Sequence, residues 1–389
     1  MFSKKIDLLN SSFLFSSIII IILKKLTELV NIQKPFFTIC RKPLVEQINL
    51  WKNKIPRIQP HYAVKCNNDP YLINILNEHN VNFDCASGGE IQQILNSNIS
   101  STKIIYANPY KNLNDLDYAV KEKVPITVVD SLEELDKLRN KKIETMVRVK
   151  VNDKDSLMPF SSKFGASFEE SMDILKRAKE YKMNISGFSF HVGSGCFNSN
   201  QYYDAVKMVS DIMIKSNYLN HEYKIIDIGG GFAGDCDEKF LDQAKKINEA
   251  VDMFKNRFHP YKDITFISEP GRFYMTKTHT LYVPIIAKRK TNNKTFYIVD
   301  ESVYSSFSNI KYDMANPTFE IVNQSRKTGK EYDSVIFGRT CDSGDKIQEL
   351  KLPELEIGDY FEIKNMGAYT TVSSTNFNGF NSTEKVYLC

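Results

Sequence analysis

The chain has 389 residues, 42% hydrophobic and 25% charged, with 51 basic and 47 acidic side chains giving a formal net charge of +4. This is the composition of a globular protein of two or three domains and excludes a disordered or fibrous chain. A near balance of charge with no long basic block argues against nucleic acid as a partner and favours small molecules.

The first patterned segment is Phe13 to Leu23, with lysines on both sides at Lys4, Lys5, Lys24 and Lys25. As a helix it is too short to cross a bilayer, and Lys24-Lys25-Leu26-Thr27 offers no small-residue cleavage site, so no membrane partner is expected. A helix capped by Ser17 and running through Leu26 and Leu29 is one reading; a buried strand of β-branched isoleucines is another. The seven cysteines, Cys40, Cys66, Cys85, Cys196, Cys236, Cys341 and Cys389, form no C-x-x-C pair. That pattern fits a reducing, cytoplasmic setting and gives no metal site.

From Pro43 to about Tyr274, short apolar runs alternate with longer stretches of helical period, the pattern of βα units around a parallel sheet. Strands are predicted at His61 to Val64, Asn82 to Asp84, Ile104 to Ala107, Ile126 to Val129, Met146 to Val149, Gly187 to Phe190, Ile225 to Ile228 and Ile264 to Ile267. Helices are predicted at Tyr71 to Glu78, Gly89 to Leu95, Ser131 to Leu138 and Phe168 to Tyr181, where apolar residues recur three and four apart. These elements predict an α/β fold, a closed TIM-like (β/α)8 barrel whose working residues gather after the C-terminal ends of the strands. After about Thr276 the pattern changes to strands without long helices, at Thr280 to Ile286, Thr295 to Val299, Ser334 to Phe337 and Tyr360 to Ile363, which predicts a separate β domain.

Several chemically capable groups sit at the predicted strand ends. Lys65 follows the first strand: either it is a solvent-facing loop lysine, or desolvation in the barrel mouth lowers its pKa and frees it for a Schiff base. Gly229-Gly230-Gly231 follows the seventh strand and is either a bare turn or a loop whose N–H groups close around an anion; the dinucleotide spacing G-x-G-x-x-G is absent. Glu269-Pro270-Gly271-Arg272 ends the eighth strand, where a carboxylate can pair with a protonated heterocycle and a guanidinium with phosphate, or the two can form a structural ion pair. His191-Val192-Gly193-Ser194-Gly195 offers a ring to stack on a flat cofactor and a hydroxyl for phosphate, though a satisfied turn histidine is the commoner case. In the β domain, Phe337-Gly338, Thr340-Cys341-Asp342 and Asp345 set a thiol among carboxylates. Negative neighbours disfavour a thiolate and suit the thiol to proton donation; a surface turn with one buried Cys is the plainer reading.

Taken with Tyr62-Ala63-Val64-Lys65-Cys66-Asn67, Phe83-Asp84-Cys85-Ala86-Ser87, Lys163-Phe164-Gly165 and Asn365-Met366-Gly367-Ala368-Tyr369, these motifs strongly resemble eukaryotic-type ornithine decarboxylase, of the alanine-racemase-like fold that binds pyridoxal phosphate. The resemblance runs from about Lys34 to the C-terminus. It implies residues 1–40 as an N-terminal segment packing with and completing the β domain, 41–276 as the cofactor-binding barrel and 277–389 as the C-terminal β domain. It implies Lys65 as the Schiff-base lysine, Glu269 at the pyridine nitrogen and His191 on the ring, with Ser194, Gly230, Gly231, Gly271, Arg272 and Tyr369 about the phosphate. Asp84, Glu90 and Arg148 match positions that line and support the pocket, and Ala63 sits against it. Cys341 of the partner subunit in a head-to-tail homodimer is the implied proton donor. Asp342 from the same loop and Asp313, with Tyr312 and Phe377, are implied to hold the substrate, and Lys163 to pair across the dimer with Asp345.

The activity so implied is decarboxylation of L-ornithine to putrescine; because Asp is kept at Asp313, ornithine is preferred over lysine or arginine. A non-catalytic, regulator-binding relative is disfavoured because Lys65, Glu269, Arg272, Cys341 and Asp342 are all present. Two residues depart from the family's pattern. They are Arg339, where proline is usual, and Glu301 in Asp300 to Tyr304.

Overall fold

The computed structural model describes residues 24–257, 263–322 and 330–388. Phe13 to Leu23 therefore lies outside the described residues. The described residues form two compact units, one within 42–277 with Gly367–Val372, the other comprising 24–41, 278–366 and 373–388.

After β1 (Phe36–Cys40), which belongs to the second unit, the chain runs through β2 (Ile58–Ala63), β3 (Asn82–Cys85), β4 (Ile104–Tyr106), β5 (Ile126–Val129), β6 (Glu144–Arg148), β7 (Ser156–Met158), β8 (Ile185–Ser189), β9 (Ser194–Cys196), β10 (Ile225–Asp227) and β11 (Thr265–Ser268). Eight of these close a parallel barrel in the order β2-β3-β4-β5-β6-β8-β10-β11, and β7 and β9 pair outside it as a short antiparallel ribbon. The expected barrel is therefore present. Covered on both faces, its strands are short and show continuous rather than alternating burial, as β4 and β8 do. Ile105, Ala107, Val128, Met146 and Ile267 fill the interior below the strand ends. β2 begins earlier than the sequence suggests, at Ile58, and Val64 falls instead in a 3-10 turn, Val64–Cys66, that carries Lys65.

Polar residues between the strands and the helices start the helices. Asp69, Ser87, Asn112, Ser131 and Ser167 each accept a backbone N–H of the first turn, and Ser167 forms a full capping box with Glu170. Each βα connection is thereby fixed within a few residues of its strand end, where functional side chains emerge.

Beneath two of those connections lies an aromatic cluster. Trp51 packs on Phe232, Phe240, Phe273 and Tyr274 with ring centroids 4.8, 5.8, 5.3 and 5.9 Å away, and its indole N–H donates to Ile58 O at 3.0 Å. Phe232 directly follows Gly231 and Phe273 directly follows Arg272. Burying each ring contributes roughly 2–3 kcal/mol, so the cluster anchors both candidate anion-binding turns from below.

The second unit is an eight-stranded sheet. Its strands are β1, β12 (His279–Lys290), β13 (Thr295–Val299), β14 (Glu320–Ile321), β15 (Tyr332–Phe337), β16 (Lys346–Leu352), β17 (Tyr360–Ile363) and β18 (Glu384–Leu388). β1 inserts between β12 and β18, antiparallel to the first and parallel to the second, so the N-terminal strand completes the sheet as expected. The sequence reading missed the two-residue β14, and also β16 and β18. The half-exposed strings of the last two, Lys-Ile-Gln-Glu-Leu-Lys-Leu and Glu-Lys-Val-Tyr-Leu, carry too many charges to stand out from loop. Among the described residues no helix is long and apolar enough to cross a membrane.

Candidate active site

In the barrel unit the residues named at the strand ends converge. The Lys65 ammonium donates to Asp84 Oδ2 at 2.7 Å, and Asp84 is only 1% exposed. The expectation that burial lowers the Lys65 pKa is not met. Desolvation acts downward, but the negative charges of Asp84 and Glu269, aided by Tyr369, outweigh it and the net shift is upward. Glu90, whose Oε2 accepts the Ala86 N–H at 2.7 Å, is pushed upward by burial and sits in the field of the same Asp84 and Lys65.

His191 is half-buried and pushed well below its ordinary pKa, first by desolvation and then by the Arg148 and Lys65 charges. Its Nδ1 accepts the Gly193 N–H at 3.0 Å, which fixes a neutral ring with the proton on Nε2. The ring presses on the glycine run: a Cβ at Gly230 would meet His191 Nε2 at 2.8 Å and Glu269 O at 2.7 Å. Arg148 places its guanidinium 4.7 Å from the Phe164 ring centroid and also bears on Glu269.

Opposite lies an anion cradle. Gly231 has φ +101°, a conformation open to glycine. Arg272 Nη2 donates to Ser194 Oγ at 3.0 Å, and its guanidinium lies 5.1 Å from the Tyr369 ring centroid. The Tyr369 N–H donates to Cys66 O at 2.9 Å, so the Gly367–Val372 segment is tied to the turn carrying Lys65. A Cβ on Gly271 would come within 3.1 Å of the Tyr369 hydroxyl and 3.5 Å of the Ala63 Cβ, so that position has to stay bare.

The barrel also reveals residues that the sequence reading did not single out. Ser189, Asp227 and Ser268 are the last residues of β8, β10 and β11, all buried. Ser189 Oγ, Asp227 Oδ2 and Ser268 Oγ, together with Asp84 Oδ1, have no protein hydrogen-bond partner. Orphaned polar atoms at buried strand ends indicate a polar ligand or ordered water. A polar residue closing each of three apolar strands was the available signal.

In the β unit the thiol loop is built on carboxylates. Asp345, 1% exposed, accepts from Val303 N–H at 2.9 Å, Ser302 Oγ at 3.0 Å, and Thr340 N–H and Oγ1 at 3.1 and 2.6 Å. Gly338 leaves the room for it, since a Cβ there would fall 2.3 Å from its oxygens. The expected pairing of Asp345 with Lys163 across a dimer would have to share the carboxylate with these four donors. The carboxylate is turned inward and committed to its own loop, while the exposed Lys163 ammonium lies 4.9 Å from the Phe164 ring centroid.

Cys341 is exposed, not the buried thiol of an ordinary turn, and its N–H donates to Asn378 Oδ1 at 3.2 Å. Asp342 accepts from the Tyr304 hydroxyl at 2.5 Å and from the Gly344 N–H at 3.0 Å, and the Tyr304 bond lowers its pKa most. Tyr304, absent from the sequence reading, stacks on Phe377 at 4.2 Å. Asp313 follows the short helix Ser308–Tyr312 and is 8% exposed, whereas Tyr312 is 70% exposed.

The barrel site offers an amine, a buried acid, a neutral imidazole and a glycine-lined cradle with a guanidinium and a hydroxyl. That donor set fits a phosphorylated heterocyclic aldehyde, and it agrees with comparisons to known proteins. Residues 41–276 match the family model described as "Pyridoxal-dependent decarboxylase, pyridoxal binding domain". The chain is 37% identical to a probable ornithine decarboxylase of Dictyostelium discoideum over 356 residues, covering 87% of this chain and 76% of that one. It superposes with TM-score 0.87 on the arginine decarboxylase of Paramecium bursaria Chlorella virus bound to agmatine, at 35% identity over 91% of this chain and 96% of that one. It superposes with TM-score 0.83 on the lysine/ornithine decarboxylase of Vibrio vulnificus complexed with cadaverine, at 29% identity over 94% and 98%. The chain belongs to the pyridoxal-phosphate-dependent decarboxylases of fold type III, the ornithine, arginine and lysine decarboxylase group, and its cofactor is pyridoxal 5′-phosphate.

Proposed function

We propose that this protein is a cytoplasmic, homodimeric carboxy-lyase that converts L-ornithine to putrescine and CO₂. The observation that carries the reading is the Lys65 amine held at 2.7 Å by buried Asp84 beside the Arg272–Ser194 cradle. The more general activity, decarboxylation of a basic amino acid, follows from the family.

Pyridoxal phosphate, when bound, supplies an electron sink for the pair released as CO₂ leaves. In this reading Lys65 would hold the cofactor's aldehyde carbon, and Asp84 would take the proton the ammonium must give up. Glu269 would face the ring nitrogen, and His191, being neutral, would lie against the ring without opposing its positive charge. Ser194, Gly230, Gly231, Gly271, Arg272 and Tyr369 would hold the phosphate, and Arg148 and Glu90 would support the charges around it. Cys341 of the partner subunit donates the proton that replaces CO₂ on the substrate carbon. Asp342 and Asp313 bind the distal ammonium, with Tyr312 and Phe377 along the substrate. Tyr304 joins this group as the residue that orients Asp342.

A substrate panel tests the activity: product formation from ornithine is expected to exceed that from lysine and arginine. A preference for arginine is the second reading, supported by the likeness to the viral arginine decarboxylase; such a result would replace ornithine as substrate. Borohydride reduction with bound cofactor should label Lys65, and label elsewhere would overturn its role. Mixing Lys65→Ala and Cys341→Ala chains should restore part of the activity through hybrid dimers; none despite subunit exchange would refute a shared site.

A further inference from the structure

The mechanism above gives no task to the buried carboxylate that ends β10. Asp227, the last residue of β10, is fully buried, with no accessible surface. Its Oδ1 accepts the Gly229 N–H at 2.9 Å, while Oδ2 receives no donor. The Glu269 N–H in turn donates to Gly229 O at 2.7 Å, so one glycine ties the two acids together through its backbone. The Glu269 carboxyl lies beside that of Asp227 at 9% exposure.

Two carboxylates cannot accept from each other; contact between them requires a proton on one. The orphaned Asp227 Oδ2 is the acceptor such a proton needs. The charges around the pair give the same answer. Lys65 and Arg148 supply two positive charges and Asp84 one negative charge. With Asp227 ionised, the cluster is neutral only if Glu269 carries a proton; His191 on the neighbouring strand end is neutral and adds nothing. Burial, Asp227 and Asp84 all push the Glu269 pKa upward, and strongly, whereas Asp227 rises only to about 6. The proton therefore belongs on Glu269.

We propose that Asp227 and Glu269 form one buried acid pair sharing a single proton, and that Asp227 is the positioning residue that keeps this proton on Glu269 for transfer to the ring nitrogen of the incoming cofactor. In the transfer the Glu269 O–H bond breaks and a ring N–H bond forms. A neutral carboxyl facing a neutral nitrogen becomes a carboxylate facing a cation, and the site exchanges no proton with solvent. The inference rests on the proposed placement of Glu269 at the ring nitrogen.

The test counts protons when the full-length apoprotein is loaded, by calorimetry in buffers of different ionisation enthalpy. It compares pyridoxal phosphate with its analogue bearing C–H in place of the ring nitrogen, above the pH at which the free ring nitrogen loses its proton. With wild-type protein the two probes should give the same proton count. Uptake of one additional proton with pyridoxal phosphate would show that Glu269 is already ionised and would overturn the proposal. Asp227→Asn keeps the acceptor for Gly229 but removes the charge; it should take up one proton more than wild type with pyridoxal phosphate and none with the analogue. An unchanged count in a folded variant would overturn the role of Asp227, and if the variant does not fold the wild-type comparison still decides. Placement is read separately: the wild type should bind the analogue at least tenfold more weakly than the cofactor, and equal affinity would remove the placement and this proposal with it.

Discussion

Asp345 tests whether the thiol loop is held from within or from across an interface. Four donors converge on its carboxylate: two hydroxyls, on Ser302 and Thr340, and two backbone N–H groups, of Val303 and Thr340. In Asp345→Ala the hydroxyls can rotate toward other acceptors, but the two N–H groups are fixed by the chain and left without that acceptor, Val303 in a buried and Thr340 in a half-buried position. Each stranded donor costs about 1–3 kcal/mol, so the variant should lose roughly 2–6 kcal/mol. Lys163→Ala, which removes an exposed ammonium lying over a ring, should stay within about 0.5 kcal/mol of wild type. Urea unfolding of both variants, followed at several protein concentrations, measures the difference. The reasoning fails if both variants lose the same stability and the loss grows on dilution, because that is the behaviour of a broken intersubunit ion pair.

Gly230→Ala places a Cβ 2.8 Å from His191 Nε2 and 2.7 Å from Glu269 O, and neither the ring nor the strand end can retreat without moving the site. It should cost about 1–3 kcal/mol and weaken pyridoxal phosphate binding in an absorbance titration by tenfold or more. His61 is buried with its pKa lowered from 6.5 to about 4, chiefly by desolvation. The unfolded chain thus takes up this proton first as pH falls, and the stability that neutral His61 provides is complete above pH 6.5 and lost between 6.5 and 4. The loss is roughly 3 kcal/mol over that interval, and His61→Gln should show a pH-dependent loss smaller by that amount. Ser167→Ala removes the capping box of the helix Phe168–Glu180 and should cost about 1 kcal/mol in thermal unfolding, with no effect on cofactor affinity.

The barrel was legible because its strands are short runs rich in apolar residues and its helices start on polar caps, both local signals. The residues at the strand ends were legible by position alone: Lys65, His191, Gly230, Gly231, Glu269 and Arg272 each follow a predicted strand. What they do to one another was not. The Lys65 pKa moves opposite to expectation because Asp84 and Glu269 arrive from other strands, and no local pattern reports a charge brought in by barrel closure. Asp227, Ser189 and Ser268 resembled ordinary strand termini until closure left their polar atoms without partners. Asp345, in an Asp-Ser-Gly-Asp string with the composition of a surface turn, points inward only because Gly338, on the facing strand end, leaves the space.

The two departures from the family's pattern meet in one network. Where proline would stiffen the approach to Cys341 through its fixed φ, Arg339 stiffens it by contact. Its N–H donates to Glu301 O at 3.0 Å, its guanidinium donates to Asp300 Oδ1 and Asn381 O at 3.2 Å each, and it stacks 4.4 Å from the Phe380 ring centroid. Glu301, fully buried, accepts from the backbone of Ser302 and Ser306 and from the hydroxyls of Ser305, Ser306 and Thr383. Burial alone raises the Glu301 pKa, and those donors with the Arg339 charge oppose the rise. The guanidinium therefore serves two groups: it braces the thiol loop against Asp300 and Phe380, and it compensates a carboxylate that would otherwise be costly to bury. Since Asp300 already neutralises it at 8% side-chain exposure, Arg339 adds no free cation to the surface that carries Cys341 and Asp342. Loss of the proline at this position is thus consistent with a defined thiol loop, because its geometry is set by contacts that converge on it from two other segments of the same unit, 300–306 and 378–383.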